Sequence, residues 1–273
     1  MDAFIEFISP FALAILQGMT EFLPVSSSGH LILLNAIFDT DLGIVFDIVL
    51  HVATLVSVVV FYRKDIASIC IGCIKECKSS NDKPDKPNLK LVAALLLATA
   101  ITGTIGLLLN DFVESKLRST LIVGALLIVN AGILWISQKK GALRLTADGQ
   151  LNFKTAALIG LAQGFAVLPG ISRSGSTITT ALLLGVRGED CAKISFLLSI
   201  PIILGAAILH LRDLSSVDHL DLPIIFGAAV LASVTGYFCL ILLDKMLKKA
   251  HFHRFAPYCI VVGLIAIVAH FVA

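Results

Sequence analysis

The chain has 273 residues, of which 57% are hydrophobic and only 15% charged, with a formal net charge of +2 and a mean hydropathy of +0.95. Soluble domains carry about a quarter charged residues, so this balance excludes a soluble globular enzyme and points to an integral membrane protein. Asp2 and Glu6 stand where a secretory leader would carry lysines, and no small-residue cleavage site follows, so no cleavable leader is expected. The expectation is one all-α membrane domain over residues 1–273, with the membrane as a partner and no nucleic-acid partner.

In chain order, the first apolar region, residues 4–38, breaks at "LPVSSSGH" and leaves a short second limb, "LILLNAIF". Spans of about 20 apolar residues, enough for roughly 30 Å of hydrocarbon, follow near 43–62, 91–109 and 117–136. Residues 155–186 then break at "LPGISRSGS" and leave a second short limb, "TITTALLLGV", before spans near 190–210, 222–243 and 255–272. The chain thus reads as about six transmembrane helices plus two re-entrant helical hairpins, whose broken backbone is tolerable where protein or a wet cavity surrounds it. "CIGCIKEC" at 70–77 lacks the fourth ligand that a structural zinc site needs, so Cys70, Cys73 and Cys77 read as free thiols on a helix at the membrane edge.

Basic residues set the direction. The segment 63–90 holds seven (Arg63, Lys64, Lys75, Lys78, Lys83, Lys86, Lys90), 137–154 holds four, and 245–254 holds four, whereas none precedes Arg63. The basic segments are expected in the cytoplasm, and both termini and the loops at 110–118 and 211–221 outside. Three spans separate the hairpins, so the hairpins enter from opposite sides. "LAILQG" at 13–18 resembles "LIGLAQG" at 158–164, and twelve residues separate Gln17 from Gly29 just as twelve separate Gln163 from Gly175. The expected plan is two inverted-topology repeats, about 1–136 and 155–273, with cytoplasmic linkers about 63–90 and 137–154. Interrupted segments at matching places in inverted halves point to a site between them.

The first hairpin would bring Gln17, Glu21, Ser26, Ser27, Ser28 and His30 to that site. The second would bring Gln163, Ser172, Arg173, Ser174, Ser176 and Thr177. Ionisable side chains inside a membrane are costly and usually functional. Arginine offers a planar fork of donors to phosphate oxygens, and "PGISRSGST" opens a helix whose free N–H groups favour an anion. Ser27, an imidazole three residues later at His30, and the carboxylate of Glu21 form a nucleophile and acid/base set. Together they suit phosphoryl transfer. Asp47 and His51, spaced i, i+4, read as a local structural pair.

"QGMTEFLPVSSSGH" and "PGISRSGST" resemble the two signatures of the undecaprenyl-diphosphate phosphatase family of the bacitracin-resistance type, [E/Q]-x-x-x-E and P-G-x-S-R-S-x-x-T. They match at Gln17 to Glu21 and at Pro169 to Thr177, and the run of hydrophobic segments resembles the family over essentially the whole chain. Gln17 stands where many members carry glutamate, and Ser28 where threonine is frequent. The resemblance implies hydrolysis of undecaprenyl diphosphate, a long-chain isoprenyl diphosphate lipid, to the monophosphate. That reaction recycles the carrier for peptidoglycan and underlies bacitracin resistance. It also implies a bacterial inner-membrane location and assistance by a divalent cation, Mg2+ or Ca2+. Carried over, the implicated residues are Glu21, Ser27, His30 and Arg173. Ser27 is assigned as nucleophile, His30 as its base or as the leaving-group acid, and Arg173 as the phosphoryl clamp. Glu21 would orient His30 or hold the cation as its metal ligand, and a rival assignment makes His30 the nucleophile. Gln17, Ser26, Ser28, Ser172, Ser174 and Thr177 are the expected substrate-binding residues. A secondary transporter or flippase for a phosphorylated lipid is the alternative, because inverted repeats with broken helices also build transporters.

Overall fold

A computed structural model describes residues 2–38, 42–78, 86–141, 151–209, 222–249 and 251–272. Helices α1 (Asp2–Phe22) and α2 (Ser27–Phe38) form the first hairpin, followed by α3 (Gly43–Phe61), α4 (Arg63–Lys78), α5 (Pro87–Lys116) and α6 (Thr120–Gly141). Helices α7 (Phe153–Phe165) and α8 (Arg173–Leu183) form the second, followed by α9 (Gly188–Leu209), α10 (Leu222–Lys248), a single 3-10 turn (Phe252–Phe255) and α11 (Ala256–Val272). Among the described residues five helices are long and apolar enough to cross a membrane, and there are six if the pair α3–α4, bent by 73°, is one span. The protein is therefore an all-α integral membrane protein, with a short apolar hairpin opening each half.

The segment expected as a linker at 63–90 is largely ordered helix: α4 leaves α3 at that sharp bend, and α5 already begins at Pro87. Its 30 residues span about 45 Å at 1.5 Å per residue, so α5 overshoots the hydrocarbon that 91–109 would have crossed. The carboxylate of Glu76 on α4 accepts from the backbone N–H groups of Asn88 (3.0 Å) and Leu89 (2.9 Å), satisfying orphan donors at the start of α5. The loop 211–221, with Arg212 and His219, and residues 142–150 lie outside the described residues.

Packing pairs helices across the two halves of the chain. The first limb of one hairpin lies on the penultimate helix of the other half: α1 on α10, and α7 on α5, while α6 and α11 pair with each other. This exchange is what a two-fold relation between halves produces. Small residues make the approaches possible. A Cβ on Gly18 would sit 2.6 Å from the carbonyl oxygen of Ala232, one on Gly160 2.7 Å from that of Ala98, and one on Gly124 2.7 Å from that of Gly263. Gly263 meets the carbonyl of Gly124 in return, at 2.6 Å. Phe22, Phe196, Ile178 and Leu240 fill the core beneath the hairpins, Phe22 meeting Phe196 edge-on at 5.3 Å.

Candidate active site

Both hairpins break at a proline, which has no N–H and forces its predecessor out of helical geometry. After each break a serine restarts the chain as a helix. Ser26 Oγ accepts from Gly29 N (3.3 Å), and Ser172 Oγ accepts from Gly175 N (3.0 Å), the same N-cap bond at matching positions. Ser27 and Arg173 therefore occupy equivalent places, each the first residue of its helix, α2 or α8. Ser26 holds φ +70°, an uncommon conformation for a residue with a Cβ. That posture lets its Oγ also accept from Gly170 N across the two breaks, at 3.0 Å. The backbones nearly touch there: a Cβ on Gly29 would lie 3.1 Å from Gly170 Cα. Gly170 itself has φ +112°, open to glycine, and a Cβ on it would strike Val123 O at 2.7 Å.

Glu21, buried on the last turn of α1, is the hub. Its Oε1 forms an ion pair with Arg173 Nη2. Its Oε2 accepts from Ser27 Oγ at 2.6 Å and from Gln17 Nε2 at 3.0 Å, and lies 3.5 Å from His51 Nε2. His51 Nδ1 donates to the carbonyl of Asp47 at 2.7 Å. With Nδ1 committed as donor, Nε2 can serve Glu21 only when it too carries a proton. Arg173 Nη1 and Gln17 Oε1 are buried without a protein partner. A guanidinium N–H left unpaired beside two helix N-termini is a donor waiting for an anionic acceptor.

His30 stands apart from this hub. Its Nδ1 donates to Ser26 O at 2.8 Å, its Nε2 lies 2.8 Å from the hydroxyl of Tyr258, and the two rings stack at 5.6 Å. No hydrogen bond joins His30 to Glu21 or to Ser27, so of the expected alternatives the contacts suit His30 as leaving-group acid better than as the base of Ser27. Glu21 contacts Ser27 directly, and the carbonyl of Ser26 fixes His30. The reason is local: helix α2 carries His30 one turn on from the Ser26 carbonyl, which captures the ring nitrogen nearest the backbone.

Among the residues expected to bind substrate, Ser27's neighbour Ser28 is half-buried and Gln17 lines the hub. Ser26, Ser172, Ser174 and Thr177 are buried and committed to the frame. Ser172 Oγ is 3.1 Å from Ser174 Oγ, Ser174 Oγ donates to Leu23 O, and Thr177 Oγ1 is 2.6 Å from Ser195 Oγ. These hydroxyls hold Arg173 and Ser27 in place. Three residues escaped the sequence reading. His51 was visible as an i, i+4 partner of Asp47, but it bonds the Asp47 carbonyl and faces Glu21. Asn130 and Tyr258 sit on α6 and α11, far along the chain and outside any motif.

The residues do not form a resident metal site. Among the described residues no three His, Cys, Asp or Glu side chains are grouped to hold an ion. Both Glu21 oxygens are engaged by protein donors, and the first position of the acidic signature is the amide of Gln17.

Comparison with known proteins agrees with this geometry. The chain is 36% identical over 272 residues to the undecaprenyl-diphosphatase of Methanosphaera stadtmanae, covering 97% of this chain and 98% of that one. It is 40% identical over 271 residues to the undecaprenyl-diphosphatase of Desulforapulum autotrophicum (96% and 97%) and 42% identical over 259 residues to that of Treponema denticola (92% and 93%). The family profile described as bacitracin resistance protein BacA matches residues 10–265, across both hairpins, so the chain belongs to that family.

Proposed function

We infer that the chain is an undecaprenyl-diphosphatase, an enzyme that releases phosphate from undecaprenyl diphosphate and returns the lipid monophosphate to cell-wall synthesis. The observation that carries this reading is the pairing of Ser27 Oγ, 2.6 Å from Glu21, with Arg173, whose Nη1 has no protein acceptor. Diphosphate oxygens would take that donor and the N-termini of α2 and α8. They compete with Glu21 for Arg173, leaving the carboxylate free to take the Ser27 proton. Ser27 Oγ then bonds to the terminal phosphorus, the bridging P–O bond breaks, and the lipid monophosphate leaves with both bonding electrons. Water then bonds to the phosphorus as the Ser27 Oγ–P bond breaks; Glu21 returns its proton to Ser27 Oγ, and the water's protons leave on the released phosphate. With its Nδ1 proton held by Ser26 O, His30 is suited to protonate the leaving lipid phosphate oxygen when Nε2 also carries a proton. The short Ser27–Glu21 contact favours Ser27 over His30 as nucleophile.

A divalent cation, Mg2+ or Ca2+, enters on the diphosphate rather than as a resident ion. One carboxylate plus substrate phosphates is a common way to hold Mg2+, and it would neutralise charge on the lipid headgroup. The protein would sit in a plasma membrane with both termini outside, as the distribution of lysine and arginine directs. Phosphate release from a long-chain isoprenyl diphosphate by the purified protein, with and without chelator, tests the reading. Ser27→Ala should abolish turnover while the melting temperature stays near wild type. A wild-type protein that moves the lipid across liposomes without releasing phosphate would instead establish the transporter reading.

A further inference from the structure

We propose that Asn130 is a positioning residue that sets the separation of the two hairpin breaks, and through them the register of Ser27 against Arg173. It rests on the phosphatase reading above and adds to it a residue on α6, which belongs to neither hairpin. Asn130 is fully buried. Its Nδ2 donates to Pro24 O at 2.9 Å, and its Oδ1 accepts from Ser172 N at 3.0 Å. The same Nδ2 lies 3.5 Å from Cys259 Sγ on α11. Pro24 is the proline of the first break, three residues before Ser27, and Ser172 is the cap immediately before Arg173. One planar amide therefore grips the backbone of both breaks at once.

The chemistry of the position selects an amide. Pro24 O only accepts and Ser172 N only donates, so the clamp needs a donor and an acceptor side by side, in one orientation of the amide. Direct contacts between the breaks, such as that of Ser26 Oγ with Gly170 N, fix their closest point. Asn130 ties the two breaks to α6, a helix outside both hairpins. Reacting groups misplaced by about 1 Å can lose about 10² in rate, which is the scale of effect expected here.

The test compares two substitutions by steady-state phosphate release from a long-chain isoprenyl diphosphate. Asn130→Leu keeps the volume and removes both bonds, so kcat should fall about 10²-fold with KM little changed. Asn130→Asp can copy both bonds as the neutral acid but only the acceptor half when ionised. Its kcat should approach wild type at low pH and fall as pH rises through a range where the wild-type profile is flat. The titratable neighbour in contact is Cys259, while Glu21, Arg173 and His30 sit on the clamped hairpins and shape both profiles alike. Wild-type kcat in Asn130→Leu, or an Asn130→Asp profile that overlays the wild type, would overturn the proposal. If Asn130→Leu does not fold, the Asn130→Asp profile decides alone. A wild-type protein that releases no phosphate would sink the phosphatase reading itself, a result distinct from a fully active Asn130→Leu.

Discussion

Glu21 receives Arg173, Ser27, Gln17 and His51 around one buried carboxylate, so changes to its partners report on different things. Arg173→Lys keeps the charge but not the planar fork, and should lose much of the activity. Arg173→Ala should lose about 10²–10³ in rate, the usual effect of removing a donor aimed at transition-state charge. It also strands Glu21 in a buried site, a structural cost. Melting temperature measured beside phosphate release separates the two. Wild-type kinetics in a folded Arg173→Ala would place the site elsewhere. His51 gives a subtler test: His51→Gln retains a donor toward Glu21, so it should keep more activity than His51→Leu. Equal activities would show that His51 only packs. The motif residues were legible because local spacing carries them, whereas His51, Tyr258 and Asn130 reach the site only through tertiary packing. The hydrogen-bond partners of His30 and Glu21 were not legible for the same reason: sequence distance between Ser27 and His30 says nothing about which backbone carbonyl captures the ring.

Element boundaries were largely legible, because continuous apolar runs mark spans and Pro–Gly–Ser clusters mark breaks. Helix α4 was legible only in part: its cysteines were expected on a helix, whereas the extent of that helix, Arg63–Lys78, depends on packing against α5. The helix pairings were not legible either, because the small residues that permit them are common in membrane helices. Those pairings make a contrast that stability can measure. A Cβ on Gly18 meets backbone of α10 at 2.6 and 2.9 Å, while one on Gly106, within α5, meets nothing within 4 Å. Gly18→Ala should therefore lower the melting temperature, since a backbone contact cannot rotate away. Gly106→Ala should raise stability by about 0.5–1 kcal/mol through helix propensity alone. If both substitutions behave alike, the close α1–α10 crossing is absent.

At the scale of the whole molecule, the exchange of helices between halves and the facing glycines Gly124 and Gly263 support two related repeats. They do not fix which end of the bundle meets the cytoplasm. The distribution of lysine and arginine gives an expectation, and the native cysteines offer a direct reading. Cys70 and Cys77 are exposed on α4, among Lys64, Lys75 and Lys78. If lysine and arginine hold that end inside, a membrane-impermeant thiol reagent should leave these two untouched in intact cells and label them after permeabilisation. The opposite end needs an introduced thiol. Ser115 lies exposed in the last turn of α5, at the other end of that helix from its junction with α4. In a variant with Cys70, Cys73 and Cys77 replaced by serine, Ser115→Cys should react from outside without permeabilisation. Labelling of the native α4 cysteines in intact cells, with Ser115→Cys protected, would invert the orientation. The site between the hairpins would survive that result, because its geometry depends on the two-fold arrangement of the halves and not on which side faces the cytoplasm.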